Sequence, residues 1–194
     1  MQAFTPVFLK SAARPGDFPG DLGREVAVVG RSNSGKSTAI NTVVGVRKLA
    51  RVSKTPGRTR LINFFELADG RRIVDLPGYG FARVPLEMRE QWRALVEAYF
   101  RARRSLVGLI VTVDIRRGLS DLDETMLTLA RGLDVPTVLL LTKADKLSRG
   151  AGLSRRRQIE REAPDGTIVI MFSAVSRAGA DEARTQLADW LDLA

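Results

Sequence analysis

The sequence predicts an α/β fold: a mostly parallel six-stranded sheet with one antiparallel edge strand and helices on both faces. Three observations lead there. Apolar strand-like runs alternate with helical patterns through residues 24–194, the order that produces a parallel sheet covered on both sides. The first run, Val26 to Val29, breaks into a glycine-framed loop that opens a helix. A Gly-containing turn, A-D-G-R, joins two later runs as a hairpin, which supplies the antiparallel strand.

Taken in order, residues 1–23 form an N-terminal arm with Pro6, Pro15 and Pro19 and the turn-rich run P-G-D-F-P-G-D-L-G. It reads as irregular, although Phe4, Val7, Phe8 and Leu9 offer a segment that could dock as a strand. The remaining 24–194 read as one domain. After the glycine-framed loop, a helix from about Lys36 to Val44 should stop at Gly45. Leu61 to Leu67 and Arg72 to Leu76 flank the hairpin turn. Between Pro85 and Arg104, Trp92, Leu95, Val96, Tyr99 and Phe100 recur at helical spacing. Arg101, Arg103 and Arg104 close that helix, where they either compensate its dipole or meet a partner. S-L-V-G-L-I-V-T-V-D is a buried strand. Ser120 and Asp123 have capping-box spacing before a stripe of Leu122, Met126, Leu129, Ala130 and Leu133. Val135 to Leu141 is a strand, and a polar helix follows with Arg155, Arg156 and Arg157 in its first turn. Cations there oppose the dipole, so an anionic partner or plain solvation must account for them. Thr167 to Phe172 is the last strand, and Ala183, Leu187, Trp190 and Leu191 give the closing helix its buried face.

The loop G-R-S-N-S-G-K-S-T carries the chemistry. Gly30, Gly35, Lys36 and Ser37 satisfy the G-x-x-x-x-G-K-[ST] spacing of a phosphate-binding loop. The glycines let the backbone turn so that the N–H groups of Arg31, Ser32, Asn33, Ser34, Gly35 and Thr38 can converge on phosphate oxygens at the positive end of a helix. Lys36 would neutralise phosphate charge, and Ser37 would offer its hydroxyl to Mg2+.

The chain has neither cysteine nor histidine, which excludes disulfides, thiolate metal sites and an imidazole base. Nowhere do 18 apolar residues run together and the first residues hold no long apolar stretch, so no membrane span is expected and the cytoplasm is the expected compartment. A net charge of +9 from 31 Lys and Arg against 22 Asp and Glu makes a polyanionic partner plausible. Part of that charge would serve the nucleotide's own phosphates. Nothing in the sequence implies DNA specificity, and a monomer is the default.

Four further loops fall at strand ends and resemble a GTPase set. T-P-G-R-T, with Gly57, Arg58 and Thr59, resembles a first switch in which Thr59 completes a magnesium shell opposite Ser37. D-L-P-G resembles a second, in which Asp75 holds magnesium, Leu76 and Pro77 shape the turn and the Gly78 N–H faces the γ-phosphate. T-K-A-D, at Thr142, Lys143, Ala144 and Asp145, resembles a guanine-reading loop. The Asp145 carboxylate would accept two hydrogen bonds that guanine offers and adenine cannot. Phe172, Ser173 and Ala174 would complete the base pocket. With S-K-T-P-G-R-T, D-L-P-G-Y-G and L-T-K-A-D-K-L together, the chain resembles the EngB family of bacterial ribosome-biogenesis GTPases, in the superfamily that also holds TrmE, Era, EngA and the septins. The resemblance implies a Ras-like fold, GTP and GDP binding with Mg2+, slow hydrolysis, and a role in assembly of the large ribosomal subunit through the subunit or its rRNA. Normal cell division or septation is the associated requirement.

The residues in catalytic positions would be Lys36, Thr59, Gly78 and Asn33. Two positions depart from the general GTPase pattern. Thr142 stands where many such proteins have Asn, and its hydroxyl can make only part of the tie between base loop and phosphate loop. Tyr79 stands where Ras-like enzymes place the glutamine that orients water, which predicts slow hydrolysis. Asn33 matches an asparagine that helps hold K+ in related GTPases; its alternative role is to stabilise the loop backbone. The competing functions are a phosphate-loop kinase or ATPase and an RNA-binding scaffold stabilised by nucleotide.

Overall fold

The computed structural model describes residues 5–50, 61–80 and 85–193. Seven strands form one sheet in the order β1-β3-β4-β2-β5-β6-β7. They are β1 (Val7–Ala12), β2 (Arg24–Gly30), β3 (Ile62–Ala68), β4 (Arg71–Asp75), β5 (Leu106–Asp114), β6 (Thr137–Thr142) and β7 (Ile168–Met171). The helices are α1 (Lys36–Val44), α2 (Leu86–Ala102), α3 (Asp121–Gly132), α4 (Arg149–Glu162) and α5 (Ala180–Leu191). Strands β4, β2, β5, β6 and β7 run parallel, while β3 is antiparallel to both β4 and β1.

The expected six strands therefore become seven, and the one antiparallel strand, β3, is not at the edge, because β1 pairs outside it and runs with the parallel strands. The addition is β1, within the segment read as irregular. Its alternation is weak because Val7, Phe8 and Leu9 all remain exposed; pairing with β3 and the Phe8–Phe65 ring contact at 5.9 Å hold it instead.

Two apolar layers cover the sheet. One holds Val96, Tyr99, Met126, Ala130 and Ile159, from α2, α3 and α4; the other holds Ile40, Val43, Ala183 and Leu187, from α1 and α5. The expected stripe of α3 is rotated. Met126 and Ala130 are buried as anticipated, but Leu122 and Leu133 are exposed and Leu127 takes the inner place. The capping box fixes that rotation: Ser120 accepts from the Asp123 N–H and Asp123 accepts from the Ser120 N–H, so Asp123 itself points inward.

Arg103 neither compensates the α2 dipole from solvent nor waits for a partner. It is buried beside Glu25, which is fully enclosed. Arg103 Nε donates to Glu25 Oε2 at 3.0 Å, Arg72 Nη1 to Oε1 at 3.1 Å, and the Tyr99 hydroxyl to Oε2 at 3.1 Å. The same guanidiniums reach the Pro19 and Gly20 carbonyls at 2.7 and 3.0 Å, which docks the incoming chain on the sheet. Helix α4 also differs from expectation. Ser148 caps it and Arg149 begins it, so Arg155, Arg156 and Arg157 lie past the first turn and the dipole penalty falls on Arg149 alone.

Candidate nucleotide site

The loop between β2 and α1 is built by two different demands on glycine. At Gly30 the demand is space: a Cβ would come within 2.1 Å of Thr112 Oγ1 and 2.7 Å of Ser34 Oγ. At Gly35 it is conformation, since φ is +97° at the residue that caps the start of α1. The Ser34 and Thr112 hydroxyls pair at 2.7 Å, and Thr112 also donates to the Val29 carbonyl at 3.1 Å. The loop is thus bolted to β5 from beneath. Ser37 and Thr38 follow Lys36 in the first turn of α1.

Beyond Asp75, the backbone continues alongside this loop. Leu76 N–H donates to Val28 O at 3.0 Å, Tyr79 N–H to Gly30 O at 3.3 Å and Ser32 N–H to Tyr79 O at 2.7 Å. Pro77 is clamped by the Trp92 indole, whose N–H donates to its carbonyl at 2.8 Å. Gly78 lies against Ser32, and its N–H has no acceptor among the described residues. Lys36 and Asp75, both buried, form an ion pair through Nζ and Oδ1. The expectation for Tyr79 changes. Its side chain faces the interior, where the hydroxyl donates to Asp123 Oδ1 and the ring packs edge-on to Trp92 at 5.5 Å. Burial, followed by the Asp123 charge, pushes the phenol well above the usual tyrosine value.

The T-K-A-D segment leaves β6 and immediately touches the phosphate loop. Thr142 Oγ1 donates to the Ser34 carbonyl and lies 3.1 Å from the Val113 carbonyl. Lys143, in the left-handed region at φ +59°, donates to the Asn33 carbonyl at 2.7 Å and to Asp114 Oδ2 at 2.9 Å. Asn33 is also left-handed, at φ +63°, and its side chain makes no hydrogen bond among the described residues. Ala144 N–H donates to Phe172 O at 3.0 Å. The Ser173 hydroxyl donates to Asp145 Oδ1 at 2.7 Å and accepts from the Val175 and Ser176 N–H groups, at 3.2 and 3.1 Å. The Ser173 bond, then Lys146, holds the Asp145 carboxyl below its ordinary pKa. Ala174 follows at the rim, partly exposed.

These contacts bring Gly30 to Thr38, Asp75 to Gly78, Thr142 to Asp145 and Phe172 to Ala174 to the carboxyl ends of β2, β4, β6 and β7. Gly57, Arg58 and Thr59 lie outside the described residues. Ser37 and Asp75 are oxygen donors of the kind that suit Mg2+, which favours one or two carboxylates or hydroxyls plus substrate phosphates over an all-protein cage. Among the described residues no group of three or more acidic side chains could hold a metal alone.

Two further residues belong to the site. Asp114, at the end of β5, receives Arg116 Nε at 2.9 Å and Nη2 at 2.7 Å besides Lys143. Arg116, then Lys143, holds its carboxyl far below the usual carboxylate range despite burial. Thr112 supports the loop two residues earlier. Both were visible in sequence only as polar interruptions at the end of an apolar run, which is where a parallel strand presents its site.

Comparison with known proteins agrees with this geometry. A family model described as a 50S ribosome-binding GTPase matches residues 25–143. The chain is 47% identical over 191 residues to a probable GTP-binding protein EngB of Methylococcus capsulatus, covering 96% of this chain and 90% of that one. A crystal structure of a probable GTP-binding protein engB superposes with a TM-score of 0.70 at 25% identity, over 87% of this chain and 98% of that one. Era bound to MgGDPNP and nucleotides 1506–1542 of 16S ribosomal RNA shares the fold, with a TM-score of 0.65 at 23% identity over 86% of this chain and 56% of that one.

Proposed function

Because the chain belongs to the EngB family of GTP-binding proteins, we propose that it is a slow GTPase whose nucleotide state switches its attachment to the large ribosomal subunit or its rRNA during assembly. Normal cell division or septation would depend on that role, carried out in the cytoplasm by a monomer. The observation that carries the reading is the Asp145 carboxylate, held by the Ser173 hydroxyl at 2.7 Å and kept ionised, on a segment that also hydrogen-bonds the phosphate loop. A carboxylate so placed accepts the N1–H and N2 amino hydrogens of guanine together; adenine offers no such pair. The same observation disfavours a kinase or ATPase.

Lys36 would leave Asp75 for the phosphate oxygens, and the loop N–H groups from Arg31 to Thr38 would surround them. Mg2+, held by Ser37, Asp75 and Thr59, would neutralise charge on the phosphates. Gly78 would offer its N–H to the γ-phosphate. Because Tyr79 is turned to Asp123, its hydroxyl does not orient the attacking water, which agrees with a low intrinsic rate. Asn33, with an uncommitted side chain, would hold K+ beside the phosphates and add positive charge there. Equal turnover in potassium and sodium buffers would remove that role.

The test is a paired measurement: GTP against ATP binding by calorimetry, and co-sedimentation with large ribosomal subunits under GTP analogue, GDP or no nucleotide. Preference for GTP and retention in one nucleotide state are expected. Identical retention in all three would leave only a scaffold stabilised by nucleotide.

A further inference from the structure

We infer that the exposed edge of α4 formed by Arg149, Arg157 and Arg161 is the surface that grips RNA phosphates. This rests on the RNA partner proposed above and names the face of the domain that meets it. Helix α4 packs on the domain through Gly152 and Ile159, with Arg155 and Arg156 half-buried beside them, and leaves the rest of its circumference exposed. Its arginines divide into two sets. Arg155 and Arg156 already have partners in the chain: Arg155 reaches the Ile115 carbonyl at 3.3 Å and Gln158, and Arg156 pairs along the helix surface with Glu160 at 2.7 Å. Arg149, Arg157 and Arg161 are exposed and form no ion pair or hydrogen bond among the described residues. They share a four-residue spacing with Leu153, which places them along one ridge of the helix.

Helix stability accounts for Arg161, in the last turn, but not for the start of that ridge. Arg149 is the first helical residue, and no acid stands in the first turn, so its charge faces the positive end of the dipole. The adjoining strip opens with Gly150 and Ser154, both exposed and small, where a Cβ added at Gly150 would meet nothing within 4 Å, and closes with Gln158 and Glu162, which pair with each other. The three arginines span about 18 Å of helix, a length on the scale of several successive backbone phosphates. A row of guanidiniums whose neighbouring carboxylates, Glu160 and Glu162, are taken by Arg156 and Gln158 suits the even charge of a phosphate backbone. An acidic protein surface would have to match it residue by residue. The ridge begins directly after the T-K-A-D loop, with Ser148 between Leu147 and Arg149.

The experiment uses the full chain loaded with GTP analogue and measures binding to deproteinised large-subunit ribosomal RNA and to intact subunits at several salt concentrations. The R149Q/R157Q/R161Q variant is compared with wild type and with R101Q/R104Q/R131Q, which removes equal charge from the region of α2 and α3. The expected result is a salt slope reduced by about 2 and RNA affinity about a hundredfold weaker at 0.1 M salt for the α4 variant, with wild-type-like behaviour for the control and unchanged GTP affinity in both. Equal losses in the two variants would overturn the assignment, because net charge alone would then explain binding. So would full RNA binding by the α4 variant, which leaves the RNA reading intact. Wild-type binding to subunits but not to the free RNA would instead overturn the RNA partner and point to a ribosomal protein.

Discussion

The phenol of Tyr79 donates its hydrogen to the carboxylate of Asp123, which fastens the loop after Asp75 to the first turn of α3. Asp123 is at the same time the third-position member of that helix's capping box, accepting from the Ser120 N–H and hydroxyl, so one buried carboxylate serves two elements. Movement of the D-L-P-G segment and the setting of α3 are coupled through this group.

Tyr79→Phe keeps the ring against Trp92 but deprives Asp123 Oδ1 of its donor. A lost hydrogen bond to a buried charge costs about 1.5–3 kcal/mol. Urea unfolding should show that fall in midpoint with an unchanged slope, and a shift below about 0.5 kcal/mol would mean that the hydroxyl is idle.

Asp145→Asn exchanges one acceptor oxygen for an amide donor facing the base. Two charge-assisted hydrogen bonds to guanine are lost, so GTP should bind at least about a hundredfold more weakly, while xanthosine triphosphate, with an acceptor at the 2-position, should gain. Calorimetric titration of both nucleotides checks the exchange. Undiminished GTP binding would remove Asp145 from base recognition.

Thr142→Val preserves shape and removes the hydroxyl that links the Ser34 and Val113 carbonyls. The expected cost is about 1 kcal/mol of stability, with GDP release several-fold faster because the phosphate loop loses a support. Stopped-flow displacement of a fluorescent GDP measures the second effect separately from the first.

Asp114 contributes to the pH dependence of stability. Its folded pKa is depressed by Arg116 and then Lys143, so the stabilisation is complete above the ordinary aspartate value of about 4 and is lost as pH falls through the lower folded value. Asp114→Asn should therefore lower Tm at pH 7 and flatten the decline of Tm between about pH 5 and pH 2. Parallel Tm curves for the two proteins would show that the carboxylate adds nothing.

Much of this was legible in the chain because it is local. The bounds of α1, from Lys36 to the Gly45 cap, follow from a glycine at each end and apolar spacing between. The phosphate loop and the T-K-A-D segment carry their chemistry in consecutive residues. What escaped depends on distant partners. Arg103 looked like a helix-end charge because Glu25 is 78 residues away, and Tyr79 was read against a catalytic glutamine because nothing nearby announces Asp123. The start of α4 was displaced because Ser148 and Arg149 give a weaker apolar signal than the residues beyond them. Strand β1 has too little alternation to declare itself and exists by virtue of β3.

The enclosed Glu25, held by two guanidiniums and a phenol, has a consequence for how the domain can transmit a signal. Removing any one of these partners would leave charge or polarity stranded in the interior, at about 3–5 kcal/mol when the lost partner is charged. The amino-terminal rim of the sheet therefore behaves as a fixed footing. Nucleotide exchange must be absorbed at the opposite rim, where Lys36, Gly78 and Lys143 sit. If the proposed RNA partner is bound, a message to it would pass sideways from loop to neighbouring helix, across the top of the sheet, with the strands beneath as its keel.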